Sequence, residues 1–168
     1  MKLSEIHIRD PFILPYEGKY YMYGTRAANF GCKTAGFDVY VGTDLENWSE
    51  PIEVFNSPKY GFNTEVNWAP EVHKYNGKYY FSYSTGDTHM LCYAIGDNPY
   101  GPFTYQGVIL TPVVGWTTHH SIVEYKGKWY LFHHDCVPSN DKTWLRSLKV
   151  CELHYNEDGT IQPIEGLD

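Results

Sequence analysis

Apolar and polar residues alternate along the chain in short runs, and no window shows the 3.6-residue recurrence of an amphipathic helix. The runs fall at residues 10–14, 19–23, 37–41 and 51–55, then 71–75, 78–84, 90–94 and 105–110, then 121–125, 129–133, 145–152 and 160–163. Each reads as a strand with one face buried. Tight turns separate them, and the first turn of each group carries the same phrase: Glu17-Gly18-Lys19-Tyr20-Tyr21, Asn76-Gly77-Lys78-Tyr79-Tyr80 and Lys126-Gly127-Lys128-Trp129-Tyr130. An x-Gly pair between alternating runs is a strong hairpin signal. The pattern predicts an all-β, single-domain chain of three repeating units, at about 6–57, 66–111 and 117–164.

Four antiparallel strands per unit of 50–60 residues is the design of a β-propeller blade, with a β-sandwich of similar hairpins as the alternative. Composition supports short strands. Aromatic residues make up 17% of the 168, with 16 Tyr and 5 Trp, and rings suit a pleated, half-buried surface. A propeller-like ring of about three blades is too small to close. Two exposed sheet faces would remain, and the simplest closure is a two-fold dimer forming a six-bladed ring, with first blade against third. A gapped monomer and a strand swap are the other solutions.

The net charge of −7 argues against a nucleic-acid partner, whose phosphates want a basic face. Neutral, hydroxyl-rich ligands fit better, since sugars stack on rings and bond to carboxylates. No run approaches the roughly 18 apolar residues of a membrane span. The N-terminus lacks the apolar core of a secretory signal, so a cytoplasmic location is expected. Cys32, Cys92, Cys136 and Cys151 show no paired spacing and read as free thiols.

Several phrases are specific. Arg9-Asp10-Pro11-Phe12-Ile13 ahead of the first hairpin resembles the opening blade of glycoside hydrolase family 43, and the run from Asn67-Trp68-Ala69-Pro70-Glu71 to Lys78-Tyr79-Tyr80 resembles its second. Asp97-Asn98-Pro99-Tyr100-Gly101-Pro102-Phe103, Thr118-His119-His120-Ser121-Ile122 and Leu145-Arg146-Ser147-Leu148 are similar to its last two blades. That family is expected to fold as a five-bladed propeller and to hydrolyse arabinofuranosides and β-xylosides of plant polysaccharides with inversion. Between Pro70 and Asp97 this chain has room for one blade only. The resemblance therefore implies an internal shortening, natural or engineered.

The family's three carboxylates are a base, a pKa-tuning Asp and a general-acid Glu. Asp10 matches the base. The tuning Asp has no counterpart. The acid's Glu-(Gly/Ala)-Pro phrase, laid on the Ala-Pro of this chain, falls on Trp68, with Glu71 three residues after it and Glu65 three before. Inverting hydrolysis needs a protonated acid and an ionised base about 6.5–9.5 Å apart, and the acid's pKa must be raised. Glu71 is the better replacement by position, although strand alternation can aim it between blades or toward Lys74.

His119 matches a channel histidine that in the family stands beside a central calcium ion or water. No cofactor is required by this chemistry, and a structural calcium is the one metal the resemblance implies. Arg146 matches an arginine that reaches substrate. Trp68, Trp116 and Phe30 are candidate stacking faces for a sugar, packing between blades being their other fate. His133-His134-Asp135 resembles a metal cluster, but neighbours on a strand face opposite ways; His134 is the member placed to border the channel. Two functions follow: a glycosidase with an incomplete catalytic set, or a non-catalytic carbohydrate-binding or structural propeller fragment.

Overall fold

A computed structural model describes residues 1–26, 34–56 and 65–167. Its strands form three antiparallel sheets. The first holds β1 (Ile8–Tyr16), β2 (Lys19–Arg26), β3 (Phe37–Gly42) and β4 (Ile52–Phe55). The second holds β5 (Asn67–Tyr75), β6 (Lys78–Thr85), β7 (Met90–Gly96) and β8 (Thr104–Leu110). The third holds β9 (His120–Tyr125), β10 (Lys128–Asp135) and β11 (Ser147–Leu153). Two 3-10 turns, Leu3–Glu5 and Val137–Ser139, are the helical elements among the described residues. The all-β expectation holds.

The repeated phrase builds the same turn three times. Glu17 and Gly18, Asn76 and Gly77, and Lys126 and Gly127 all have φ between 47° and 79°, the type I′ geometry whose twist matches the flanking strands. Each turn closes on an aromatic–lysine pair: Tyr16 with Lys19, Tyr75 with Lys78, Tyr125 with Lys128.

Blades one and two meet through a ring-rich core. Phe81 lies 5.0 Å from both Phe37 and Phe103 and 5.9 Å from Tyr23, centroid to centroid. Every one of these four side chains is fully buried, and each contributes about 2–3 kcal/mol by leaving water. Blades two and three meet through Leu91, Ile109, Ile122, Leu131 and Leu153. The innermost strand of the middle blade, β5, touches β1 and β2 on one side and β9 on the other.

The third sheet departs from the expected four strands. Residues 160–163 make only an isolated bridge, Tyr155 with Ile161, before Ile164 pairs in parallel with Leu110 of the second blade. The Thr111 N–H donates to the Ile164 carbonyl at 2.9 Å and the Ile164 N–H to the Ile109 carbonyl at 2.8 Å, and the Ile161 N–H donates to Tyr93 Oη at 2.9 Å. Pro163 supplies no N–H for an antiparallel ladder, and the free edge of β8 takes the segment instead.

The two outer faces also differ from expectation. The far face of blade one is a small cluster of Met22, Tyr40 and Trp48, covered by Met1 and Ile6. The far face of blade three is open, with Leu148 67% and Val150 55% exposed on β11. Alternation on β11 turns Leu153 inward and these residues outward. A ring closed by first-to-third contact would have to displace the cover on blade one.

Candidate active site

Both β1 and β5 carry an interruption at the same place. Between the paired positions Arg9 and Phe12, and Trp68 and Glu71, two residues (Asp10-Pro11 and Ala69-Pro70) face a single residue of the neighbouring strand, one extra in each case. Asp10 and Ala69 take φ of 50° and 48°, left-handed values that Asp tolerates and Ala does not favour. These bulges turn one backbone unit toward the axis where the inner strands converge.

Asp10 is fixed there by Thr25, the seventh residue of the β2 hairpin arm. The Thr25 hydroxyl donates to Asp10 Oδ2 at 2.6 Å and accepts from the Ala69 N–H at 2.8 Å. One fully buried hydroxyl thus joins the carboxylate of blade one to the backbone of blade two. The seventh residues of the other two arms are Ser84, whose hydroxyl donates to the Trp68 carbonyl, and His134. Sequence reading passed over Thr25, which lies beyond the repeated phrase and pairs with Arg9 beside the β1 bulge, as Ser84 pairs with Trp68 beside that of β5.

Asp10 lines two adjoining clefts. One, of about 250 Å3, is walled by Pro11, Phe12, Ala69, Pro70, Glu71, His119, His120 and Ser121. The other, of about 220 Å3, is walled by Arg9, Trp68, Thr117 and His119. His119 Nδ1 stands 4.0 Å from Asp10 Oδ1, and its Nε2 is buried without a hydrogen-bond partner. Burial holds His119 below the ordinary imidazole pKa; Asp10 pulls upward, while Arg146, His134 and Arg9 push down. Arg146 is exposed on the loop before β11, and its charge reaches both His119 and His134.

Glu71 shares the larger cleft with Asp10 but faces the seam between blades two and three. Both its oxygens accept from the Ile122 N–H at 3.2 Å, and Ser121 Oγ donates at 3.4 Å. His120 Nε2 lies 3.9 Å from the carboxylate and bonds Ser82 Oγ at 2.7 Å. Burial outweighs these donors and raises Glu71 to about 7; burial likewise lowers His120 to about 3. Lys74 is not the partner of Glu71, since its ammonium sits over the Tyr79 ring at 5.5 Å.

The other nominated residues separate. Glu65 is exposed ahead of β5 and lines neither Asp10 cleft, so it has no geometric claim as the acid. Trp68 is only 7% exposed, edge-on to His119 with centroids 6.4 Å apart; it is a wall rather than an open platform. Trp116 is 54% exposed. Phe30 and Cys32 lie outside the described residues, and Cys92, Cys136 and Cys151 are free thiols. His133 faces Cys151 at 3.7 Å, away from His134, as alternation requires. No three His, Cys, Asp or Glu side chains among the described residues converge as metal ligands. Calcium takes six to eight oxygens, so a lone nitrogen on His119 beside one carboxylate does not fit it.

A family model described as "Glycosyl hydrolases family 43" matches residues 3–118. A "Xylosidase/arabinosidase" of Bacteroides ovatus is 82% identical over 104 residues, covering 62% of this chain and 31% of that protein. A "Beta-xylosidase" of Xylanibacter ruminicola is 80% identical over 101 residues, covering 60% and 31%. Among solved structures, RS223-Beta-xylosidase superposes with a TM-score of 0.81 at 51% identity, over 96% of this chain and 59% of that one. The GH43_1 enzyme from Xanthomonas citri, solved with xylotriose, gives 0.79 at 38%, over 95% and 57%. The chain thus spans about a third of the curated relatives and under three fifths of the structural ones.

Proposed function

The chain belongs to glycosyl hydrolase family 43, and from that premise we propose that its Asp10 clefts take the terminal pentosyl unit of a xylo- or arabino-oligosaccharide, with Asp10 as the base that would hold the attacking water. The observation that carries this reading is the placement of Asp10, which the Thr25 hydroxyl fixes at 2.6 Å on the bulge of the innermost strand. Arg9, His119 and Thr117 around it supply a cation, a neutral ring and a hydroxyl, a set suited to sugar hydroxyls. Relatives solved with xylotriose support a pentose ligand.

The acid is the weak point of hydrolysis. Glu71 is the carboxyl that shares the cleft with Asp10, and both its oxygens are engaged by Ile122. General acid catalysis supplies about 10²–10⁴-fold, so we infer slow turnover confined to substrates whose leaving group needs little help. Nitrophenyl β-xyloside and arabinofuranoside meet that condition; xylobiose does not. The expected outcome is xylose binding that D10N weakens, with nitrophenyl glycosides cleaved faster than xylobiose. Absence of binding to xylose and arabinose would refute the reading. A second reading, full hydrolysis with Glu71 as proton donor, is favoured by its pKa near 7; xylobiose cleavage lost in E71Q would establish it.

We also propose that a second copy of the chain covers the open outer face of blade three. Leu148 and Val150 on β11 support this, an aliphatic patch of the kind that drives association.

A further inference from the structure

The turn glycines Gly18, Gly77 and Gly127 set the three hairpins in one register, and the fourth residues after them are Met22, Phe81 and Leu131. Phe81 faces blade one, 5.0 Å from the Phe37 ring. Leu131 faces blade two, in the cluster with Leu91 and Ile109. Met22 is the same position of blade one, so the far face of that blade has the make-up of a face that packs on a preceding blade. The third residues after the glycines are Tyr21, Tyr80 and Tyr130. Tyr21 packs toward blade two and Tyr80 toward blade three. Tyr130 shares the open face of blade three with Phe132 and its cross-strand partner Val150. The molecule thus carries two unmatched halves of one repeating seam, one on blade one and one on blade three.

Residues 1–6 occupy the first half. Met1 and Ile6 lie on the buried Met22, Tyr40 and Trp48. The hold is slight. Lys2 makes an isolated antiparallel bridge with Asn47. The Trp48 N–H donates to the Met1 carbonyl at 2.9 Å, and Lys2 Nζ to Asn47 Oδ1 at 2.6 Å. Lys2, Leu3, Ser4 and Glu5 are exposed, so most of the segment meets water rather than the blade. The Trp48 indole N–H is buried with no hydrogen-bond partner, and an unpaired donor disfavours the covered state.

Resting on the reading that a second copy covers blade three, we propose that residues 1–6 are a competitive strap. They hold within one chain the seam half that the blade-three face of a second copy fills between chains. When the strap leaves, Met22, Tyr40 and Trp48 of one copy pack on Phe132, Leu148 and Val150 of the other. The two-fold repeats that contact and closes a six-bladed ring. The strap therefore sets the concentration at which two copies join.

The test locks and loosens the strap in the full chain. The Trp48–Met1 bond flanks Lys2 and Asn47, which makes them a non-hydrogen-bonded pair with Cα atoms about 4.5 Å apart, within the span of a disulfide. K2C/N47C should hold the strap when oxidised and release it when reduced. I6D, which sets a charge against the apolar cluster, should loosen it. Sedimentation across a concentration series reads the dimer dissociation constant. The oxidised lock is expected to dimerise about tenfold more weakly than its reduced form, and I6D about tenfold more tightly than wild type, the worth of covering two part-buried apolar side chains. Wild type taken through the same oxidation should not change. Equal constants for the oxidised and reduced lock, or weaker association in I6D, overturn the strap alone. Tight association of I6D that survives V150D, or monomers throughout with I6D included, overturns the second-copy reading and the strap with it.

Discussion

Replacing Glu71 by Gln should reverse the pH dependence of one seam of this molecule. Glu71 is 8% exposed and sits between β5 and β9, with burial lifting its pKa from 4.5 to about 7. Because the folded value is the higher one, its contribution to stability is fully present below pH 4.5 and is lost as pH rises through 7. At 1.36 kcal/mol per pH unit the whole effect is about 3 kcal/mol. Roughly 2–3 kcal/mol of it falls between pH 5 and 8. Buried histidines oppose this trend. His73 and His120 are both lowered to about 3 by burial, so their contributions are lost as pH falls below 6.5. Wild type alone therefore shows a mixture, and the difference between wild type and variant isolates the carboxyl. Gln keeps an oxygen for the Ile122 N–H and cannot ionise. Urea unfolding of both proteins at pH 5, 6, 7 and 8 should show E71Q gaining on wild type as pH rises. The midpoint difference should move by about 1 M, given a slope of 2–3 kcal/mol/M for a chain of this size. Parallel curves, or a variant that loses ground with rising pH, would refute the argument that burial governs this group.

Two further outcomes follow from the geometry. T25V removes the hydroxyl that Asp10 and the Ala69 N–H share, leaving a buried donor unpaired; thermal unfolding should register a loss of about 1–3 kcal/mol, and xylose affinity should fall with it. V150D places a charge in the open face of blade three; light scattering should show a dimer for wild type and a monomer for the variant, and identical masses would dismiss the second-copy proposal.

The hairpins were legible because their cause is local. An x-Gly pair ahead of lysine and a ring dictates a type I′ turn wherever it occurs, and Gly18, Gly77 and Gly127 are all left-handed. Asp10 was legible because the phrase around it, Arg9-Asp10-Pro11-Phe12-Ile13, lies within one strand and resembles the family's opening blade. Glu71 was only half legible: its position on β5 follows from sequence, but the Ile122 N–H that claims it lies 51 residues away across a blade seam. Long-range choices explain the other departures. Residues 160–163 alternate like a strand, and nothing in their own pattern says that the edge of β8 is nearer than that of β11. Nor does the first blade's pattern reveal that Met1 and Ile6 cover its far face.

That crossing of the C-terminal segment has a bearing on how the chain is assembled in time. Ile164 must find Leu110, 54 residues earlier, before the outer edge of the second blade has its last partner. During synthesis the first two blades can dock as soon as β8 is made, whereas the third is fastened only when residues 159–164 have emerged and reached back across it. Until then β8 offers an unpaired rim to any passing strand. The interval between those events, set by the pace of translation, is the period in which this chain is most exposed to mispairing with its own kind.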